Sequence, residues 1–254
     1  MLAHERQQQI MKLLEENGSI RINEIVQRFA VSNETARRDL DYLQKRGYAR
    51  RVHGGANAID TTTNNLSELT DDDDSSLSVV ELLAKAAAEQ VAENDVIFIG
   101  QGTTMYHLAR AIKSRKNLTV LTNSLRVISE LVDSTITLYS LGGLVDRDEQ
   151  NMNGSIPISV IQKFYANKAF ISCGGISDDG NISDYNNDGT LNNLMLQLSD
   201  RHFLVADSSK FDRHAFCHVC KISDFDMIIS DKNLPEKYRQ MLEQYGATLC
   251  IADN

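Results

Sequence analysis

From residue 79 onward the chain repeats one unit: a short apolar run, a turn of small residues, then a stretch of helical period. The apolar runs fall at 96–99, 119–121, 137–141, 169–172, 203–206, 227–229 and 248–251. A helical stretch at 82–91 precedes the first, and others at 106–112, 125–131, 158–164, 191–198 and 236–245 intervene. Strands that alternate with helices build a mainly parallel sheet covered by helices, so residues 79–254 are predicted to form an α/β domain. In such sheets ligands sit at the carboxyl ends of the strands.

The first 57 residues follow a different plan. Ile10, Leu13 and Leu14 have helical spacing, and Asn17-Gly18 closes that helix. Asn23 is a predicted N-cap of a second helix that turns Val26 and Phe29 inward. Ser32 caps a third, in which Ala36, Leu40 and Leu43 face the core and Gly47 marks the end. Residues 48–52 then run into Gly54-Gly55, a hairpin signal.

Three helices and a basic hairpin describe a winged helix-turn-helix. On the third helix Ser32, Asn33, Glu34, Thr35, Arg37 and Arg38 lie toward the outside, as a helix entering a major groove requires. Arg50, Arg51 and His53 on the hairpin are placed to meet the backbone or the minor groove. The same periodicity also fits a three-helix interaction domain with surface arginines.

Charge bears on this choice. The net charge of −9 argues against nucleic acid, but it is unevenly spread. Residues 1–56 hold 10 Lys+Arg against 7 Asp+Glu, or +3, which leaves −12 for the rest. A basic head on an acidic body suits a protein in which one domain meets phosphate. Between them, 58–78 is polar and acidic, with runs at 61–65 and 71–76, and reads as a linker.

Several classes are set aside. The longest apolar runs fall far short of the roughly 20 residues of a membrane span. No apolar core follows the first charges, so no secretory signal is read. Four Cys are too few for a disulfide framework, and a reducing, cytoplasmic location without membrane contact is expected.

The strand ends carry the polar chemistry. The run at 96–99 leads into Gly100-Gln101-Gly102-Thr103-Thr104 and a helix, which offers amides and hydroxyls to a phosphate. This is neither a Walker A loop nor G-x-G-x-x-G, so no nucleotide or other cofactor is indicated. Thr122-Asn123-Ser124, Gly142-Gly143, Gly174-Gly175 and Asp207-Ser208-Ser209-Lys210 end later strands. Each also reads as a simple cap or turn; together they suggest one pocket for a polar, anionic ligand. Lys210 and the Thr103-Thr104 loop are the expected phosphate contacts.

Glu5-Arg6, the stretch from Val31 through Ser32, Asn33, Glu34, Thr35, Ala36, Arg37, Arg38 and Asp39 to Leu40, and the stretch from Arg51 to Ala56 together resemble the DNA-binding domain of DeoR-type bacterial transcriptional regulators. Ala36 departs from the Ile more usual there, at a core position. The later elements resemble the effector domain of the same regulators, which is similar in fold to ribose-phosphate and glucosamine-phosphate isomerases. The resemblance implies a transcription factor, a repressor of a carbohydrate-utilisation operon, with double-stranded operator DNA and a phosphorylated sugar as partners. It implicates Gly102, Thr103, Thr104, Thr122, Asn123, Ser124, Gly142, Gly143, Asp207 and Lys210 in effector binding, and Gln101 and Gly174 lie at the same strand ends.

Three positions depart from the family pattern: Gly100 where Asp is common, Asp146 near a usual Arg, and Gly189 near a usual Glu, for which Asp188 is a candidate substitute. The rival reading is a sugar-phosphate isomerase with an added domain. Isomerisation needs a positioned base, and the thinned carboxylate set argues against an enzyme. A homo-oligomer is expected, because one short reading helix spans too few base pairs for a unique address. Cys217-His218-Val219-Cys220 with His214 invites a metal reading, but positions three apart on a strand face opposite ways, and no metal is predicted. His107 is read as a surface or capping residue.

Overall fold

The computed structural model describes residues 3–45, 49–52, 54–58, 74–147, 149–184 and 189–253. The head consists of α1 (Ala3–Asn17), β1 (Ser19–Arg21), α2 (Ile22–Phe29), α3 (Asn33–Lys45), β2 (Ala49–Val52) and β3 (Gly55–Ala58). Ile10, Leu13, Leu14, Ile20, Ile25, Ala36, Leu40 and Leu43 form one buried cluster. The periodic positions of α1 and α3 thus meet across the head.

Two local expectations need correction. Asn23 is not an N-cap: α2 starts at Ile22 from an extended Arg21 that makes no side-chain cap bond. The hairpin is also not alone. β1 pairs antiparallel with β3, giving a three-stranded sheet in the order β1-β3-β2. Three residues are too few to display alternation, so β1 is silent in the sequence. Gly55 has no room for a Cβ, because the Ile20 carbonyl of β1 lies against it.

The turn into α3 and its expected Ser32 cap are both formed. Ala30, at φ 50, ends α2 in the left-handed region. Ser32 Oγ accepts the Thr35 N–H at 3.1 Å and caps α3. Gly47 lies outside the described residues.

An ion pair joins α1 to α3. Arg6 Nε stands 2.5 Å from Asp39 Oδ2, with the two side chains 9% and 4% exposed. Gln7 Nε2 donates to Asp39 Oδ1 at 2.9 Å.

The body begins with α4 (Asp74–Glu89), which starts inside the segment read as linker. Acidic and hydroxyl residues at 74–76 look like loop by composition but are also favoured in a helix's first turn. Residues 59–73 lie outside the described residues. There follow β4 (Val96–Ile99), α5 (Thr103–Ile112), β5 (Thr119–Thr122), α6 (Leu125–Leu131), β6 (Thr137–Ser140), β7 (Leu144–Asp146), β8 (Asn151–Asn153) and α7 (Ser155–Ile161). Next come β9 (Ala166–Ile171), β10 (Gly175–Ile176), β11 (Asn181–Asp184), α8 (Thr190–Gln197), β12 (Ser199–Val205), β13 (Cys217–Lys221), β14 (Met227–Asp231), α9 (Glu236–Tyr245) and β15 (Thr248–Ala252).

Seven strands form one sheet in the order β15-β14-β12-β9-β4-β5-β6. Every adjacent pair is parallel. Successive residues alternate between two cores. Ile97, Ile99, Val120, Phe170, Phe203 and Ile229 face α4, α5 and α6. Phe98, Leu121, Ala169, Ile171, Leu204 and Ile228 face α7, α8 and α9. Both faces are therefore buried, which accounts for the unbroken apolar runs.

Two smaller pieces have no counterpart in the sequence reading: the β7–β8 hairpin and the antiparallel sheet β10-β11-β13. Their strands are two to five residues long and hold Asn151, Asn153, Asn181 and Ser183, so neither length nor alternation marks them. No described helix is long and apolar enough to cross a membrane.

Candidate functional site

On the first two turns of α3 Asn33, Glu34, Arg37 and Arg38 are exposed, and Asp41 and Tyr42 follow them. Glu34 Oε1 and Arg38 Nη2 are 3.2 Å apart, with side chains 73% and 77% exposed. An exposed i,i+4 pair contributes little, so Arg38 can leave Glu34 at small cost. Ser32 and Thr35 behave differently: their hydroxyls bond one another at 2.9 Å within the cap. Their first role is to hold the helix start. Arg50 and Arg51 lie on β2 opposite Asn57 and Ala56. Their side chains, and His53, lie outside the described residues.

In the body, strand order reverses between β4 and β9, whose neighbours continue in opposite directions. Such a switch point opens a crevice at the carboxyl ends of the two strands. The loop Gly100-Gln101-Gly102 after β4 and Cys173-Gly174 after β9 flank it. The Gly100 N–H donates to the Phe170 carbonyl at 2.9 Å and holds the two ends together.

Beside β4, Gly102 has φ 103 and needs glycine for its conformation, with open space around it. Thr103 starts α5, and its Oγ1 accepts a bond from Arg126 Nη1 at 3.2 Å. Thr104 is buried. Gln101 Oε1 accepts from Asn151 Nδ2, and Asn151 Oδ1 accepts from Asn153 Nδ2 at 2.7 Å. The β7–β8 hairpin thus closes over the β4 loop.

Thr122, Asn123 and Ser124 are buried, and their side chains are spent on local geometry. Thr122 Oγ1 accepts the Ser124 N–H at 3.0 Å, Asn123 Nδ2 donates to the Met152 carbonyl at 3.1 Å, and Ser124 Oγ caps α6. Gly142 and Gly143, at φ 70 and φ 129, turn the chain into β7. A Cβ on Gly143 would stand 2.6 Å from the Asn153 carbonyl oxygen. Buried Gly174 donates its N–H to the Ser183 carbonyl at 2.9 Å.

On the far side of the crevice, Asp207 Oδ1 accepts the Ser209 N–H at 2.9 Å and starts the 3-10 turn Ser208–Lys210. Asp231, at the end of β14, accepts the Ser208 N–H at 2.6 Å and the Asn233 N–H at 2.9 Å. Lys210 is half-buried beside the Cys173 thiol. Burial pushes that thiol well above its usual range, and the lysine charge pulls against the shift.

Sequence reasoning missed Arg126, Asn151, Asn153 and Asp231. Arg126 and Asp231 carried a signal, since both sit within a few residues of a strand's carboxyl end. The asparagines belong to the unpredicted hairpin.

Other residues find structural places. His107 is buried rather than at the surface, with Nδ1 3.9 Å from Glu81 Oε1 on α4. Burial lowers its pKa, and Glu81 acts the other way. Cys217 and Cys220 sit on β13 as free thiols, and burial pushes Cys220 up to about 12. Among the described residues no group of three His, Cys, Asp or Glu is placed to hold a metal. Gly189, at φ 77, leaves a Cβ only 2.9 Å from the His218 carbonyl, so position 189 itself has no room for a carboxylate side chain. Asp188 lies outside the described residues.

A winged helix-turn-helix joined to a parallel α/β domain with a polar crevice defines a DNA-binding transcriptional regulator. Residues 6–62 match the "DeoR-like helix-turn-helix domain" and residues 81–232 the "DeoR C terminal sensor domain". The chain belongs to the DeoR family, which is one of regulators rather than enzymes. It is 33% identical over 249 residues to the lactose phosphotransferase system repressor of Lactococcus lactis, covering 96% of this chain and 97% of that protein. It is 28% identical over 250 residues to the putative aga operon transcriptional repressor of Escherichia coli O157:H7, covering 97% and 93%. Among solved structures, ribose 5-phosphate isomerase A of Methanocaldococcus jannaschii is similar at a TM-score of 0.39 and 15% identity, over 52% of this chain and 53% of that one.

Proposed function

We propose that this regulator represses genes for sugar use and leaves its operator when a phosphorylated sugar enters the crevice between β4 and β9. The observation that carries this reading is the convergence of polar groups at that switch point. Gln101, Thr103 and Arg126 stand on one side, and Asp207 and Lys210 on the other. β12 lies two strands from β4, so the two sets are separated by roughly 10 Å at ordinary strand spacing. An open-chain sugar phosphate spans such a gap. The relative named as a lactose phosphotransferase system repressor supports the same direction.

A ligand moves the DNA equilibrium only if it binds the two states of the protein unequally. The test is therefore release. Operator DNA held by the full chain in a gel assay should be freed by one member of a panel of sugar phosphates, and not by its dephosphorylated form. Equal action of both forms overturns the phosphate assignment. In the same assay Arg37→Ala should weaken binding by about 1–3 kcal/mol if Arg37 reads a base edge. If it meets phosphate instead, the salt slope should fall by about 0.9. Binding and salt slope both equal to wild type would remove α3 from the reading role.

Pairing of half-sites calls for more than one copy. The edge strand β6 and its surroundings carry exposed Tyr139, Leu144, Val145, Ile156 and Tyr165, an apolar concentration suited to self-association. Sedimentation at micromolar concentration should show an oligomer. Leu144→Lys should shift it toward monomer, and a wild type that is monomeric with and without DNA would overturn this.

A further inference from the structure

Arg126 stands where a cation is least favourable. Its guanidinium reaches Thr103, the first residue of α5. A helix N-terminus presents unsatisfied N–H groups and partial positive charge, and so favours an anion. The first turn of α5 holds no acidic residue. Among the described residues no carboxylate pairs with Arg126; it has the Thr103 hydroxyl and the Tyr106 ring, 5.2 Å from its Cζ. Its Nε–H is buried with no hydrogen-bond partner. Arginine side chains that serve only packing have no need to bury Nε–H unpaired, because an unmatched donor of this kind is costly.

These features fit together if the balancing charge comes from a ligand. We propose that Arg126 anchors the phosphate group of the effector and sets the preference for a doubly charged oxyanion. The inference rests on the reading of the crevice as a sugar-phosphate site and assigns its two ends. The half-buried Arg126 guanidinium offers its charge and Nη–H groups to phosphate oxygens, as a guanidinium does for tetrahedral oxyanions. The N–H groups of the first turn of α5 complete the cradle. Lys210, two strands away, is left for the opposite end of the sugar. The sequence alone gives the phosphate to Lys210 and the Thr103-Thr104 loop together; here the loop keeps that role with Arg126 in place of Lys210.

The test uses the full chain and inorganic phosphate as the probe, followed by calorimetry. Arg126→Gln should bind phosphate at least tenfold more weakly than wild type, and Arg126→Lys should fall between, keeping the charge but losing the guanidinium. Wild-type affinity should rise as phosphate acquires its second charge, and this rise should flatten in Arg126→Gln. A purely structural arginine would instead lower the melting temperature of the ligand-free protein. Here Arg126→Gln should melt no lower than wild type, because it relieves an unbalanced charge. If Arg126→Gln binds phosphate as wild type does, the assignment of Arg126 is overturned while the effector reading stands. If wild type binds no phosphate and no sugar phosphate releases DNA, both fall.

Discussion

Asp39→Ala is expected to unfold the DNA-binding head and abolish operator binding, while the sheet domain keeps its own melting transition. Asp39 and Arg6 are buried against each other at 2.5 Å, and Gln7 adds a third bond. The Asp39 hydrogen bond raises the Arg6 pKa, and without Asp39 the guanidinium still stays charged, because arginine is not deprotonated in proteins. Breaking one side of a buried pair costs about 3–5 kcal/mol, because the survivor is stranded without a partner or water. A domain of this size seldom has more than about 3–5 kcal/mol to lose. The head has a core of its own, from Ile10 to Ala56, so the loss should stay local. Thermal unfolding followed by circular dichroism should show the early transition gone and the later one in place. Arg6→Met combined with Asp39→Leu should recover much of the loss, since replacing both charges by apolar groups is often neutral. An Asp39→Ala protein that melts and binds DNA like wild type would overturn the argument.

The same pair shows what can be read from a sequence and what cannot. Arg6 and Asp39 are both in the stretches that resemble the DeoR head, yet nothing in their spacing says that they touch. Their partnership depends on how α1 crosses α3. The large sheet is legible because each central strand is buried on both faces and therefore reads as an apolar run. The β7–β8 hairpin is not legible, because its residues are chosen to bond across a loop: Asn151 to Gln101, Met152 to Asn123. Thr122, Asn123 and Ser124 attract notice as polar groups at a strand end, and the structure shows most of that polarity used to shape the loop. Arg126 goes unnoticed for the opposite reason. Its place just after a strand end is visible in the sequence, but the lack of countercharge that sets it apart exists only once the neighbours are in place.

Gly100 and Gly189, which lie at or near positions where the family resemblance leads one to expect acids, should respond in opposite ways when acids are introduced. Gly189→Glu is expected to destabilise the sheet domain strongly. At φ 77 a side chain is strained wherever it points, and the new Cβ would meet the His218 carbonyl at 2.9 Å and Val219 Cα at 3.0 Å. Those atoms belong to the backbone of β13, which is paired with β11 and cannot retreat freely. Left-handed backbone costs a non-glycine residue about 1–3 kcal/mol, and overpacking adds typically 1–3 kcal/mol, so a loss of roughly 2–6 kcal/mol is expected. At Gly100 the contacts are ordinary: Ile171 Cγ2 at 3.4 Å and the Phe170 carbonyl oxygen at 3.5 Å. Gly100→Asp should therefore fold, and its carboxylate would stand at the mouth of β4 as an acceptor for sugar hydroxyls. The expected outcome is a changed order of preference among sugar phosphates in the DNA-release assay, at little cost in melting temperature. The contrast follows from backbone geometry: at 100 the chain lacks only the acid, whereas at 189 it lacks the room for one. Calorimetric melting of both variants tests this directly, and a Gly189→Glu protein as stable as wild type beside a Gly100→Asp protein that fails to fold would reverse it.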